Sequence, residues 1–423
     1  MKSVFRWAIT LYALMLCFIL AVGLWFRIRI SHYAMRSGLV LGVNTLTNLI
    51  PTLYEALDVI SRELVGFIPA VARDSGAERA AKDQVINIFI APPITGGDIT
   101  PGATPPSDGD TTPGNTTMTI TKARYWPVRW NGEEQKAVAH TGKLSNLIRD
   151  QFTQAMRAAC NEVEADLAAL HTLASRAYGT AGTAPFGTAN DLSDFAGPRR
   201  ILDDNGAPQT DLQIVLGGAA MQNIRGKQAV LFKVNESGTD QLLRQGIIGQ
   251  AEGYAIRNSG QIKTHTKGTG AAYTSSAAGF AVGATTIALI TGTGTVIVGD
   301  AITFAGDTNI YLVTTGVAAP GSIVIAEPGL RQAIPASATA MTILNNSARN
   351  MAFSRSAIQL ATRAPALPEG GDMADDRTII QDSNSGLAFE VSVYRQYRQV
   401  KFEVALAWGV KLVAPRHVSV LLG

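Results

Sequence analysis

The chain has little cysteine and little charge. Its 423 residues include two cysteines, Cys17 and Cys160, which excludes a disulfide framework and a zinc site built from several cysteines. Cys160 falls in a predicted helix, where a small buried side chain is expected. Charged residues make up 16% of the chain and hydrophobic residues 46%, with 41 glycines. This composition indicates a folded, turn-rich chain, and its length suggests two or three domains.

A general excess of basic residues is also absent. The net charge is +3, but no acidic residue precedes position 43, and five basic ones do: Lys2, Arg6, Arg27, Arg29 and Arg36. Without these five, 31 of the 36 basic residues remain against 33 acidic residues. Because binding to nucleic acid needs clustered positive charge, the body is not predicted to bind polyanions in general. A local basic patch that faces a genome stays compatible with these numbers.

Motifs for catalysis or metal binding are missing as well. None of the five histidines lies at metal-ligand spacing from another histidine, a cysteine or a carboxylate. They are His32, His140, His171, His265 and His417. We expect each to be a surface or capping residue. No Gly-x-Ser-x-Gly motif occurs, and Gly292–Gly299 lacks the Lys-Ser/Thr ending of a phosphate loop. The acidic pairs Asp203–Asp204 and Asp375–Asp376 fit solvated loops better than a divalent-ion site. The sequence therefore predicts no enzyme, no cofactor and no metal.

The beginning of the chain differs from the rest. Trp7 to Phe26 is a run of twenty uncharged residues with basic residues on both sides, the pattern of a membrane-spanning helix. A secretory signal fits less well, because no small-x-small cleavage site follows the run. A third interpretation places the true start of translation at Met35 or Val43. We expect residues 1–42 to be absent from the mature protein, with a real membrane anchor as the alternative.

Two predicted strands flank a long proline-rich loop. Residues 84–90 and Met118 to about Trp130 are predicted to be strands. Pro92–Thr117 between them has six prolines, five glycines and no Lys or Arg, which excludes a helix or a central strand. This connection of 26 residues is far longer than the usual ~4–6. The extended hairpin is therefore predicted to be functional or disordered at its tip.

Helical spacing predicts one long helix in the body. Apolar residues recur every three or four positions from Leu144 to Tyr178, which corresponds to about 50 Å of helix, and Gly179 supplies a C-terminal cap. Other predicted elements are a helix at 53–64 ended by Pro69, a strand at Leu212–Leu216 and a helix at Gly218–Arg225.

The residue pattern changes in Gly260–Asn346. Short β-rich pieces alternate there with glycine turns, which predicts an all-β module inserted into its host domain. The pieces are Thr286–Ile290, Asp300–Phe304, Ile310–Thr314 and Ser322–Ile325. After the module, alternation predicts long strands at Leu387–Val393 and Val400–Trp408 and a last apolar strand at Val418–Leu422.

Four segments are long enough to be compared with known families. They are NTLTNLIPTLYEALDVISRELVGFIPAV (44–71), DITPGATPPSDGDTTPGNTTMTITKAR with PVRWNGEE (98–134), ADLAAL (165–170), and RTIIQDSNSGLAFEVSVYRQYRQVKFEVALAWGVKLVAPRHVSVLL (377–422). In this order they resemble the coat-protein family of the Salmonella phage P-22. The resemblance covers essentially the whole chain from Asn44 onward, and residues 1–42 match nothing in that family.

The resemblance implies an α+β fold of the Hong Kong 97 capsid type, with a long spine helix, an extended β-hairpin loop and an inserted all-β domain. The implied division is an apolar leader (1–42), an N-terminal arm (43–83), the extended loop hairpin (84–131), the spine helix with the start of the axial and peripheral domains (132–259), the inserted β domain (260–346) and the remainder of those domains (347–423).

A function is implied in the same way. The chain would be the major capsid protein of a tailed bacteriophage, a virion protein that assembles in the bacterial host cytoplasm into an icosahedral shell. The implied partners are the chain itself, in hexamers and pentamers, scaffolding and portal proteins, and enclosed genomic DNA through non-specific contact. The predicted intersubunit contacts are Asp98, Asp108, Asp110, Trp126 and Trp130. The alternative is a membrane-anchored or secreted β-rich surface protein that uses residues 7–26 as its anchor.

Overall fold

The computed structural model describes most of the chain after residue 64. The described residues are 65–75, 78–90, 96, 98–99, 101, 114–139, 144–228, 231, 249–381 and 387–423. The predicted leader (1–42) and the predicted helix at 53–64 lie outside them. Among the described residues, no helix is long and apolar enough to cross a membrane.

Helices and strands are mixed, which confirms the predicted α+β class. Within the described residues there are four α-helices: α1 (Gly132–Ala139), α2 (Leu144–Ala169), α3 (Ser193–Asp204) and α4 (Gly218–Lys227). The strands in the same residues are β1 (Ala72–Ser75), β2 (Val85–Ile90), β3 (Gly114–Thr119), β4 (Lys122–Asn131), β5 (Arg176–Tyr178), β6 (Leu212–Leu216), β7 (Gln250–Ala251), β8 (Tyr254–Asn258), β9 (Thr264–His265), β10 (Ala271–Ser275), β11 (Thr286–Thr293), β12 (Ala301–Phe304), β13 (Ile310–Thr315), β14 (Ser322–Ile325), β15 (Met341–Ile343), β16 (Ser347–Ser354), β17 (Ile358–Arg363), β18 (Asp376–Gln381), β19 (Ala388–Gln396), β20 (Gln399–Leu412) and β21 (Val418–Leu422).

A six-stranded sheet is organised around β20. Its order is β1-β17-β20-β19-β18, and β4 pairs with β20 along ten residues, from Gln399 to Trp408. Alternation along these strands buries one face, so that Phe389 and Trp408 lie in the main core. The long strands predicted near the end of the chain are confirmed, and β20 is longer than predicted because its alternation continues to Leu412.

A second sheet of thirteen strands carries the rest of the body. The last strand, β21, lies between β5 and β16, and all five of its residues are buried. All five residues of β6 are buried as well. Strands covered on both faces are expected to be apolar along their whole length. The predicted strands Leu212–Leu216 and Val418–Leu422 are confirmed at both ends.

The long helix is shorter than its apolar spacing predicts. α2 has 26 residues, about 40 Å of helix, and a 3₁₀ turn at Leu170–Leu173 and strand β5 follow it. Ala174 and Ala177 continue the spacing and are buried, but they lie in extended backbone. The prediction of one helix as far as Tyr178 is therefore wrong, because a periodic row of small apolar residues shows burial and not helix.

Residues 260–346 are all-β and enclose a core of their own. The 14 buried apolar side chains of that core, from Tyr273 to Ile343, all come from this region. The four predicted strands are present, and β14 has the predicted bounds. The region is not an isolated sheet, however, because β13 pairs with β5 and β9 pairs with β16 of the body. Its limits as a domain stay a prediction.

A buried carboxylate on α2 fixes the first described segment of the chain. Glu164 is fully buried and accepts hydrogen bonds from the backbone N–H of Phe67 at 3.0 Å and of Ile68 at 2.7 Å. The hydroxyl of Ser259 donates a third, at 2.7 Å. Burial raises the pKa of Glu164, and the three donors oppose that shift. These contacts hold the segment around residue 67 against the C-terminal part of α2.

Candidate subunit-interaction hairpin

An antiparallel hairpin forms a two-stranded sheet separate from the body. β2 and β3 pair over six residues each, with Ile90 opposite Gly114, and no other described strand pairs with them. The predicted strand at 84–90 is confirmed. The predicted loop Pro92–Thr117 reaches too far, because after Pro113 the sequence has no proline and is rich in β-branched threonine, which favours a strand.

The second predicted strand, Met118 to Trp130, is divided in two. β3 ends at Thr119 and β4 begins at Lys122, and the two strands pair with β2 and β20 respectively. The change of partner carries the chain from the hairpin into the six-stranded sheet.

Apolar contact with the body holds the base of the hairpin. Met118 is 1% exposed and Ile120 is fully buried. They pack with three alanines of the body, Ala80, Ala361 and Ala407. On β2, Ile86 and Ile88 share the same half-buried face, and Val85 and Asn87 on the opposite face are exposed. The hairpin is therefore attached at one end and along one face.

Two residues of β20 clamp this base. Lys411 Nζ donates hydrogen bonds to Thr116 Oγ1 at 2.7 Å and to the carbonyl oxygen of Thr117 at 2.6 Å. Gly409 lies so close that a Cβ on it would collide with the carbonyl oxygen of Thr119. These two residues thus set the direction in which the hairpin leaves the body. Neither residue was predicted, although a glycine inside a strongly alternating strand is a signal of close backbone approach.

At the tip, Asp98 is exposed and its neighbour Ile99 is 98% exposed. Asp108 and Asp110, the other two predicted tip contacts, lie outside the described residues. A predicted role of these three aspartates in contacts between subunits stays a prediction.

Both predicted contact tryptophans have partners inside their own subunit. Trp126 stacks on Trp408 with ring centroids 6.2 Å apart. Trp130 is 3% exposed, and its Nε1 donates to Gln151 Oε1 at 2.9 Å. Trp130 is therefore covered by its own chain and Trp126 is half-buried, and contact of these two residues with another subunit stays a prediction.

The acidic pairs found in the sequence have basic partners. The ion pairs are Asp203–Arg199 at 3.4 Å, Asp204–Arg176 at 3.3 Å and Asp375–Arg395 at 3.1 Å. Cys160 is buried on α2, as predicted. Within the described ranges, no group of three or more His, Cys, Asp or Glu side chains could hold a metal ion.

Comparison with known proteins gives similar structures and no similar sequences. No family model and no curated protein matches the chain. A solved structure of Mycobacterium phage Che8 is 13% identical, covers 82% of this chain and 88% of its own, and has a TM-score of 0.41. The capsid of the cyanophage P-SCSP1u is 9% identical, covers 85% of this chain and 88% of its own, and has a TM-score of 0.43. The mature capsid of bacteriophage PhiM1 is 10% identical, covers 84% of this chain and 86% of its own, and has a TM-score of 0.40.

Two histidines meet in the fold although they are far apart in sequence. The rings of His171 and His265 have centroids 5.8 Å apart, and His265 Nε2 lies 3.0 Å from Asp300 Oδ1. Burial, followed by the charges of Arg349 and His265, lowers the pKa of His171 to about 4 despite a hydrogen bond to a backbone carbonyl. The prediction of scattered surface or capping histidines is wrong for this pair, because nothing in their local sequence shows that β9 returns to the end of α2.

Proposed function

We propose that the chain is the major capsid protein of a tailed bacteriophage, with a Hong Kong 97-type fold, and that copies of it assemble into an icosahedral shell. The observation that carries this proposal is the β2–β3 hairpin, a two-stranded sheet separate from the two larger sheets and attached to the body at one end and along one face. On the opposite face Val85 and Asn87 are exposed, so this face is open to contact with a neighbouring subunit. A closed shell repeats a few interfaces many times, and a subunit with a reaching arm supplies them. Two of the similar solved structures are phage capsids, and the same role is proposed for this chain.

A carboxylate on the long helix links it to the sheet that adjoins the hairpin. Asp166 of α2 accepts a hydrogen bond from Trp408 Nε1 at 2.9 Å and pairs with Lys122 Nζ at 2.7 Å. One carboxylate therefore joins the long helix to β20 and β4. The two strands next to the base of the hairpin are therefore bonded to the long helix.

The finer part of the proposal concerns family and partners. The four sequence segments support the P-22 coat family, and with it hexamers and pentamers of the chain, a scaffolding protein, a portal protein and a place in the virion after assembly in the host cytoplasm. Contact with the enclosed genome is proposed to be non-specific, because the chain after residue 43 has slightly more acidic than basic residues. No catalytic step is part of the proposal.

The test is assembly of the purified full chain, followed by sedimentation velocity and negative-stain electron microscopy over a range of protein concentrations. We expect closed particles of uniform size. In a matched variant, residues 91–113 are replaced by Asn-Gly, which closes β2 and β3 with a two-residue turn at the observed Ile90–Gly114 pair. This variant should fold and should form no shells.

Two outcomes would contradict the proposal. A chain that stays monomeric at every concentration is not a shell subunit. A chain that partitions into membranes through residues 7–26 supports the surface-protein alternative. If the shortened variant assembles as well as the full chain, the proposal of a shell stands, but residues 91–113 of the hairpin are not needed to form it.

A further inference from the structure

A buried polar cluster lies where residues 260–346 join the body. Arg349 and Ser347 are on the same face of β16, two residues apart, and are 3% and 1% exposed. Ser347 is opposite His265 of β9, and the ring of His265 meets that of His171 in the 3₁₀ turn after α2. The four side chains thus surround one point on the joint between the inserted region and the long helix.

Several polar atoms in this cluster lack a hydrogen-bond partner. Arg349 donates one hydrogen bond, from Nη2 to the carbonyl oxygen of Gly299 at 3.1 Å. Four other atoms are buried with no hydrogen-bond partner: Arg349 Nε, Arg349 Nη1, Ser347 Oγ and His171 Nε2. Folded proteins leave few such groups unsatisfied, because water bound them before folding. Each of them therefore points to a bound molecule.

The positive charge of Arg349 has no direct ion pair, and Asp300 is the negative charge that acts on it. Asp300 is fully buried nearby, but its oxygens already accept hydrogen bonds from the backbone N–H of Gly268 and Ile297 and from His265 Nε2. Among the described residues, no carboxylate lies within 4.0 Å of the Arg349 guanidinium. Burial lowers the pKa of Arg349 to about 10 and the charge of Asp300 opposes that shift, so Arg349 is charged at neutral pH. A buried charge that lacks a direct ion pair and most of its hydrogen bonds is unfavourable.

We propose that this cluster binds a small inorganic anion, held by Arg349 Nε or Nη1 and by the hydroxyl of Ser347. Water would satisfy the donors, whereas an anion would also give Arg349 the direct ionic contact that Asp300, already bonded to three other groups, does not make. Nucleic-acid phosphate is excluded as the ligand, because Arg349 and Ser347 are buried. The anion would hold β16 of the body to β9 and Gly299 of the inserted region.

Binding of the anion should be linked to a proton on His171. Its Nδ1 lies 2.9 Å from the carbonyl oxygen of Ala168, so Nδ1 carries the hydrogen of the neutral ring and Nε2 presents a lone pair. A lone pair repels an anion, whereas a protonated Nε2 donates to it. Anion affinity is therefore expected to rise as the pH falls from 7 towards 5. Arg349, His265 and Asp300 are the charged and titratable groups that face His171 from the neighbouring elements.

The experiment measures thermal unfolding of the full chain in sodium gluconate, with chloride or phosphate replacing gluconate at constant ionic strength. We expect a saturable rise of the unfolding midpoint with chloride, phosphate or both, and the two arms identify which anion fits. Arg349→Met should abolish the rise. Arg176→Met is the matched control, since Arg176 is equally buried but already bonded to Asp204 and Asn309, and it should keep the rise.

Two milder variants decide the matter if Arg349→Met does not fold. Ser347→Ala should weaken the anion affinity about tenfold, the effect of removing one hydrogen bond to a charged ligand. His171→Gln should bind the anion at neutral pH and lose the increase at low pH. Identical curves in gluconate, chloride and phosphate, or an unchanged affinity in Ser347→Ala, would overturn the proposal in favour of water.

Discussion

The β2–β3 hairpin and the inserted β region show two ways in which strands of the same chain are stabilised. Both have short strands of alternating residues, and both depart from the body. The inserted region buries 14 apolar side chains against one another. The hairpin has no such interior, and on its exposed face Val85 is 53% exposed. The first region carries its own core, whereas the described residues of the hairpin pack with the body along one face and leave Val85 and Asn87 exposed on the other.

This difference has a functional meaning. An element that encloses a core contributes to the stability of the subunit whether or not the subunit is assembled. We expect an element that is attached along one face to gain further contacts on its other face from a neighbour. The same substitution should therefore affect folding in one region and assembly in the other.

The largest expected effect comes from a pair of truncations, one in each region. Ile323 is fully buried on β14, so Ile323→Ala should destabilise the free subunit by about 4 kcal/mol. Val85→Ala should change stability by less than about 0.5 kcal/mol and should raise the critical concentration for assembly. Denaturant unfolding and light scattering measure the two quantities. A comparable loss of folding stability in both variants would remove the distinction between the regions.

How far the sequence predicted this arrangement depends on the kind of signal. β6, β14 and β21 were predicted with their observed bounds, because short apolar runs between turn residues are a local signal. The end of α2 was not, because Ala174 and Ala177 keep the helical spacing while lying in extended backbone. Local patterns show which side chains are buried; they do not show what buries them, as Trp130 illustrates.

Contacts between distant segments could not be predicted at all. The meeting of His171 with His265, and the approach of Gly409 to Thr119, depend on how the two sheets are joined. His171 and His265 are unremarkable in their local sequences, and the glycine inside the alternating strand β20 indicates a close backbone approach without showing that Thr119 is the partner. They become visible only when strand pairing brings the segments together.

An acid titration should loosen the joint of the inserted region and spare the hairpin. The pKa of His171 is about 4 in the folded chain against an ordinary value of 6.5, so the unfolded chain takes up the proton first. Stability is then full above pH 6.5 and is lost as the pH falls towards 4. At about 1.4 kcal/mol per pKa unit, the loss amounts to about 3 kcal/mol in the absence of a bound anion.

The measurement for this titration is hydrogen exchange by mass spectrometry between pH 7 and pH 4.5, corrected for intrinsic rates. Peptides from β9 and β16 should lose protection, and peptides from β2 and β3 should not. His171→Gln is the control, because it keeps a neutral polar side chain and should flatten the dependence. Equal loss of protection in both regions would mean that acid acts through other groups.

A smaller effect on folding is expected at the clamp of the hairpin. Gly409→Ala introduces a methyl group against the carbonyl oxygen of Thr119, which should cost about 2 kcal/mol and turn the hairpin away from its direction. Assembly should fail at concentrations where the subunit is still folded. Gly218→Ala is the control, since nothing lies within 4 Å of a Cβ there. Normal shells from Gly409→Ala would show that the direction of the hairpin is not critical.

The smallest effect on folding is expected at the tip, where Asp98, Asp108 and Asp110 are replaced together by asparagine. The loop contains no Lys or Arg, so the three charges have no partner within it, and the complement we predict is a basic surface on the adjacent subunit. Exposed charges contribute little to stability, so thermal unfolding of the free subunit should change by less than about 0.5 kcal/mol. Assembly should nevertheless weaken and lose part of its dependence on salt, because fewer ion pairs remain to be screened. If the triple variant assembles at the wild-type critical concentration across a salt series, the tip is a passive linker, and the hairpin acts through its strands alone.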